Sequence, residues 1–286
     1  MTWFVFSFLT AFFESSKDVF SKQSLKQFDN YIIAWLFSFL TFVLLLPSLL
    51  IVGIPELGDR FWTALLASGS VNVIATLLYM RALKQADLSL AVPLITFTPL
   101  FLLLTSPIIV GEYPTFLDFI GVVLIVSGAY VLNVRDAKRG YLAPLRSLLR
   151  EPGPKLMLFV AFLWSITSSF DKVGLNNSSP LFWVTCVYGF VAITMFPIVA
   201  RKSWHNFRRI PDSWQTLGLI GVCNALAVGC QMTALSMTLV VHVISIKRMS
   251  ALIGVLFGYF VFKEQGIQER LTGAVMMILG VLAITL

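Results

Sequence analysis

Charge is what this sequence has least of. Of its 286 residues only 12% are Asp, Glu, Lys or Arg, while 58% are hydrophobic; an ordinary soluble domain carries roughly 25% charged residues. That much apolar surface cannot be hidden by a fold in water, so a soluble globular protein is excluded. Cysteine is scarce too: Cys186, Cys223 and Cys230 all fall inside apolar runs and form no C-x-x-C pair, which argues against both a disulfide framework and a thiolate metal site. The chain has no H-E-x-x-H, nucleophile elbow or paired-aspartate motif, so no enzyme, cofactor or metal is expected. Its first apolar run lacks the basic start and small-residue cleavage site of a secretory signal and contains Glu14, Lys17 and Asp18, so it reads as a retained helix.

What the sequence has in abundance is apolar length. Ten runs of about 20 residues, enough to cross a hydrocarbon core of about 30 Å, lie near 2–21, 31–53, 61–80, 88–110, 116–134, 156–174, 181–200, 214–234, 240–262 and 271–286. The expected fold is therefore an all-α integral membrane protein of ten transmembrane helices, the first to tenth spans.

These spans repeat. At an offset of 152, Gly69, Asn72, Ala75, Met80, Ala82 and Leu83 match Gly221, Asn224, Ala227, Met232, Ala234 and Leu235, and Leu100, Leu104, Glu112, Gly121 and Gly128 match Leu252, Leu256, Glu264, Gly273 and Gly280. In the first two spans of each half an offset of 150 fits better, pairing Lys22 with Lys172, Leu25 with Leu175 and Pro47 with Pro197. The chain thus divides into a first five-helix repeat at 1–134, a basic linker at 135–155 and a second five-helix repeat at 156–286. Five is odd, so the second copy enters the membrane from the side opposite to the first.

The cations follow that geometry. Lys22, Lys26, Arg81, Lys84, Arg135, Lys138, Arg139, Arg146, Arg150, Lys155, Arg201, Lys202, Arg208, Arg209, Lys263 and Arg270 cluster at the ends of odd-numbered spans, whereas Arg60 lies in a loop on the other side. The positive-inside rule then puts the linker in the cytoplasm and both termini on the outer side of a plasma or inner membrane. Two inverted-topology repeats are a common build of alternating-access carriers, whose site lies near the midplane at the repeat interface. The basic linker is expected to lie against anionic lipid headgroups.

Four cations remain. Lys172 is close to a span end, from which it is expected to snorkel to water. Lys247 and Arg248 sit side by side within the ninth span, where two lipid-facing charges would cost on the order of 5–7 kcal/mol. They are expected to border a cavity instead, either as half of a structural ion pair with Glu14 or Asp18 or as an anion clamp, Arg offering a planar fork and Lys a point charge. Counting at 1.5 Å per residue, Lys247 and Glu14 differ in depth by only about 6 Å in a core of about 30 Å.

The fourth cation, Lys17, belongs to the stretch AFFESSKDVFSK, which places Glu14, Lys17, Asp18 and Ser21 on one helix face. This cluster either neutralises itself locally or lines a pathway, with Glu14 as a proton-linked carboxylate. His242, outward of the pair, reads as a packing residue or a switch. Asn72 and Asn224 are repeat-equivalent, as are Tyr79 and Gln231; such groups either glue helices together or line the cavity. Gly121 with Gly128 and Gly273 with Gly280 share faces that permit close helix approach. Pro93, Pro99 and Pro107 in the fourth span face Ser245, Ala251 and Tyr259 in the ninth, so the fourth is expected to be the more kinked of the two.

The segments PLFLLLTSPIIVGEYPTFLDFIGVVLIVSGAYVLN and SALIGVLFGYFVFKEQGIQERLTGAVMMILGVLAITL resemble the EamA family of the drug/metabolite transporter superfamily, with Glu112 and Glu264 each following the fourth helix of its half. The spacing of Glu14 and Lys22 is similar to that in the first helix of small multidrug resistance proteins, which implies a proton- and cation-binding role for Glu14, although the repeat sets Trp164 rather than an acid opposite it. The Lys247–Arg248 dipeptide is similar to the pair with which plastid phosphate translocators hold a phosphate group, and Lys17 is the candidate for their further lysine.

The expected function is secondary active transport of a small polar metabolite bearing an anionic group. Lys247 and Arg248 would bind that group, with Asn72, Asn224, Tyr79, Gln231 and His242 around the rest. Glu14, Lys17 and Asp18 would serve coupling or gating. The alternatives are a proton-coupled exporter of cationic or amphipathic compounds and a non-transporting membrane sensor or scaffold. The partners expected are the small-molecule substrate, protons as a candidate coupling ion, and membrane lipids, with no nucleic acid.

Overall fold

The computed structural model describes every residue except 25–27, 86–93, 134–150, 208–209, 211–212, 263–270 and 286. Pro93, Glu264, Lys26, most of the expected linker and the basic residues Arg135, Lys138, Arg139, Arg146, Arg150, Arg208, Arg209, Lys263 and Arg270 lie outside the described residues. The described residues fold into helices and turns without a strand. In chain order the helices are α1 (Thr2–Ser24), α2 (Asn30–Leu45), α3 (Ser48–Val52), α4 (Phe61–Gln85), α5 (Thr98–Ile109), α6 (Phe116–Asn133), α7 (Pro152–Asn176), α8 (Pro180–Phe207), α9 (Trp214–Leu235), α10 (Val240–Lys247), α11 (Ser250–Phe262) and α12 (Leu271–Thr285).

Among the described residues, five stretches are long and apolar enough to cross a membrane: Tyr31–Val52, Phe61–Tyr79, Pro152–Asn176, Pro180–Trp204 and Trp214–Leu235. In such a solvent each backbone donor and acceptor must be satisfied within the protein, which is why apolar runs close into helices. Helix starts carry their local signals. Asp29 caps α2 by accepting from the backbone N–H of Tyr31 and Ile32 at 2.9 and 3.0 Å, and α7 and α8 each begin on a proline, whose missing N–H costs nothing there. Beyond the last residue of α5 and its cap Val110 stands Gly111, whose φ of +84° only glycine adopts freely. The paired prolines act unequally: Pro47 stands at the break between α2 and α3, while Pro197 lies within α8.

The chain gathers into two compact units, one of residues 1–73 and 170–237, the other of 74–169 and 238–286. Each takes material from both sequence repeats, and α4 and α7 contribute to both units. In the first unit α1 packs along α9, and α2 packs against α8 and α9. In the second, α12 packs along α6, and α10 against α5 and α6.

The expected glycine faces meet in the second unit. A Cβ on Gly121 would come within 2.7 Å of the Gly280 carbonyl oxygen, and one on Gly128 within 2.5 Å of the Gly273 carbonyl oxygen. As the residue number rises along α6 it falls along α12, so these repeat-equivalent helices run antiparallel.

The proline expectation needs correction. The ninth span is interrupted although it contains no proline: α10 stops at Lys247, Arg248 and Met249 form a turn, and α11 starts at Ser250. In the fourth span, Thr96 and Phe97 form the same turn before α5, and they are the residues that the offset of 152 pairs with Arg248 and Met249. The hydrogen bonds repeat as well, Phe97 N–H donating to Leu94 O at 3.3 Å and Met249 N–H to Ile246 O at 2.8 Å. A three-residue bond replaces the four-residue one and halts the ladder, so the break belongs to the fold of both repeats rather than to proline.

Candidate functional site

The second unit holds Lys247, Arg248, His242 and Tyr79. Lys247 ends α10 and Arg248 opens the turn after it, both half-buried. The expected cation pair thus stands at a tight turn between two helices, which the start of α11 bonds back to through Ala251 N–H on Arg248 O and Ile253 N–H on Met249 O, both at 3.0 Å. One turn before Arg248 lies Ser245, fully buried, with its hydroxyl lacking a hydrogen-bond partner among the described residues. Nothing in a serine amid apolar neighbours marked it beforehand. Tyr79 packs on Trp164 with ring centroids 5.5 Å apart and planes tilted by 42°; the signal for Trp164 was its place opposite Glu14 in the repeat.

His242 is neither solvent-facing nor packed on apolar atoms alone. Its Nε2 lies 2.7 Å from Asp118 Oδ1 and its Nδ1 2.9 Å from Thr238 Oγ1. The other oxygen of Asp118 accepts from Thr115 N–H at 2.7 Å and from Thr115 Oγ1 at 2.9 Å, and Asp118 N–H returns a bond to Thr115 Oγ1, which is a capping box at the start of α6. Beside it Glu112 Oε2 accepts from the Val240 N–H at 2.8 Å and from Ser106 Oγ at 3.2 Å. A glutamate of the first repeat therefore caps α10 of the second, where the N-cap residue Leu239 has no side chain to do so. Asp118 could not be found from sequence, because an acid three residues into a helix reads as a local cap and its bond to His242 crosses 124 residues.

The first unit holds Glu14, Lys17, Asp18, Asn72, Asn224 and Gln231. Lys17 Nζ lies 2.7 Å from Glu14 Oε1 and 3.9 Å from Asp18 Oδ1, and 5.6 Å from the centre of the Phe37 ring. Glu14 and Lys17 are largely buried, whereas the Asp18 side chain is 66% exposed. Asn224 Nδ2 of α9 donates to Thr41 Oγ1 of α2 at 2.8 Å. Gln231 is buried in α9 and Asn72 half-buried in α4.

Lys172 does not snorkel. It is 8% exposed and its ammonium donates to the carbonyl of Leu235, the last residue of α9, so a cation meets the negative end of a helix dipole. Its neighbour Asp171, passed over in the sequence, is equally buried and accepts from Ser68 Oγ at 2.7 Å and from the indole N–H of Trp183 at 3.1 Å. Among the described residues no group of three His, Cys, Asp or Glu side chains could hold a metal ion.

The architecture of two matched halves has a counterpart in known proteins, since the model of the EamA-like transporter family matches residues 1–134 and again 152–286. The chain belongs to the EamA-like transporter family. With its long apolar helices, this makes it a multi-pass membrane protein. It is 25% identical over 228 residues to an uncharacterized transporter of Methanothermobacter thermautotrophicus, a match that takes in 75% of this chain and 61% of that relative's length. One solved crystal structure covers 99% of the chain and 96% of its own, with a TM-score of 0.81 at 14% identity. That likeness concerns the fold alone.

Proposed function

We propose that this EamA-like protein is a secondary active carrier of a small polar metabolite bearing an anionic group, working by alternating access in a plasma or inner membrane. The observation that carries this reading is the break in the ninth span at Lys247–Arg248. Discontinuous helices supply ion and substrate sites in many carriers, because the interruption leaves backbone dipoles and side chains free to face a ligand. A guanidinium and an ammonium in adjacent positions fit a carboxylate or phosphate. The antiparallel run of α6 and α12 supports inverted topology, and the charge bias of the sequence supports termini outside and a cytoplasmic linker against anionic lipid.

Tyr79, which belongs to the same compact unit as Lys247 and Arg248, would orient the rest of the substrate. Proton-coupled export of cationic compounds through Glu14 has less support, because Glu14 already faces the Lys17 ammonium at 2.7 Å; a cationic drug would have to displace a tethered one.

The test is thermal stabilisation of the detergent-purified protein by phosphates, carboxylates, amino acids, amines and organic cations, with the Lys247→Ala, Arg248→Ala double variant alongside. Stabilisation by anions that vanishes in the variant supports the reading. Stabilisation by cations alone, kept in the variant, overturns it in favour of Glu14.

A further inference from the structure

The eight residues of α10, a rod about 12 Å long, carry distinct chemistry at their two ends. One end is the turn with Lys247 and Arg248. The other is clasped by two acids of the first repeat, Glu112 on the Val240 N–H and Asp118 on the His242 ring. The His242 and Asp118 side chains are only 13% and 7% exposed, so this is a buried pair and not a surface contact.

The third member of the clasp decides what the pair can do. A hydroxyl both donates and accepts. Thr238 Oγ1, 2.9 Å from Nδ1, can therefore accept from an imidazolium N–H or donate to the bare nitrogen of the neutral ring, while Nε2–H donates to Asp118 in both states. Gaining or losing a proton breaks no hydrogen bond here; it changes only the charge opposite Asp118 and hence the strength of the bond holding α10.

Among the described residues, the titratable and charged groups around this pair are few. α5 contributes none, the turn after it Glu112 and the exposed Tyr113, α6 Asp118 and, about three turns on, Tyr130, and α10 itself Lys247. Arg248 follows at the turn.

We propose that the Asp118–His242 pair is a proton-binding site linked through α10 to Lys247–Arg248, so that a proton and an anion each raise the other's affinity. The site itself stands independently of the transport reading; only the linkage rests on it. A protonated His242 adds a positive charge to the short helix that ends in the cation pair and tightens the clasp that fixes it. Linkage is reciprocal, so anion binding draws a proton in.

The experiment uses the full-length protein in detergent with sulfate as probe, because sulfate keeps its charge over roughly pH 5 to 8, the range in which histidine titrates. Thermal unfolding with and without sulfate is followed across that range for the wild type, His242→Gln and Asp118→Asn. The wild type is expected to bind sulfate more tightly toward the acid end, by up to about tenfold per pH unit for one linked proton, and both variants to lose that slope. Equal slopes in all three proteins overturn the inference while leaving the anion site standing. A histidine step in the ligand-free wild type that His242→Gln removes, with no sulfate effect at any pH, supports the proton site, refutes the linkage and counts against the anion reading. If His242→Gln does not fold, Thr238→Val takes only the Nδ1 partner away and is expected to displace the step; an unmoved step overturns the inference.

Discussion

At the scale of single residues, two charges near span ends close helices. Lys172 holds the last carbonyl of α9. A buried hydrogen bond to a charged group contributes about 1.5–3 kcal/mol, so Lys172→Met is expected to destabilise the protein by that amount in thermal unfolding, even though methionine matches the apolar stem. Glu112 likewise supplies the cap that α10 lacks. Glu112→Gln keeps an acceptor and should cost little, whereas Glu112→Ala leaves the Val240 N–H unmet and should cost about 1–2 kcal/mol; comparing the two unfolding midpoints separates capping from charge. The sequence marked Glu112 through its repeat with Glu264 but could not say what it does, since its partner is a backbone N–H 128 residues away. Asp171 was missed for the same reason: its partners Ser68 and Trp183 are ordinary residues until packing brings them to the carboxylate.

At the scale of helices, spacing was legible and breaks were not. Glycines seven apart on matched helices foretold close approach, and α6 and α12 do meet at Gly121–Gly280 and Gly128–Gly273. A methyl group at Gly128 or Gly280 would press on a backbone carbonyl that cannot rotate away, so Gly128→Ala and Gly280→Ala should each cost about 1–3 kcal/mol as overpacking. Gly218 in α9 has nothing within 4 Å of where its Cβ would stand. Gly218→Ala should therefore stabilise by about 0.4–1 kcal/mol, and unfolding of the three variants side by side checks both signs. The break at Arg248–Met249 was invisible because no proline or glycine announces it; the repeat would have revealed it only to someone who already knew of the turn at Thr96–Phe97.

At the scale of the whole molecule, the compact units do not follow the sequence repeats: each unit takes pieces of both, and α4 and α7 run through both. Glu14 and Lys17 belong to one unit and Lys247 and Arg248 to the other. If the two clusters serve different tasks, replacing Lys17 with Met should lower stability by releasing the Glu14 carboxylate into apolar surroundings, a loss of about 3–5 kcal/mol for a broken buried pair. The Lys17→Met, Glu14→Gln double variant should recover most of that, and anion stabilisation through Lys247–Arg248 should persist in it. Loss of the anion response in the double variant would instead assign Lys17 to the substrate.

By itself the sequence determined the helical membrane class, the doubling of the chain and the positions of the charges that an apolar solvent makes costly, because these depend on composition and on offsets along the chain. Tertiary structure alone decided which partners those charges take, that Lys172 is buried, that His242 answers to Asp118, and that the ninth span stops beside its two cations. Those facts depend on atoms brought together from 63 to 128 residues apart, or on a turn whose stability comes from packing, and neither leaves a pattern in local order.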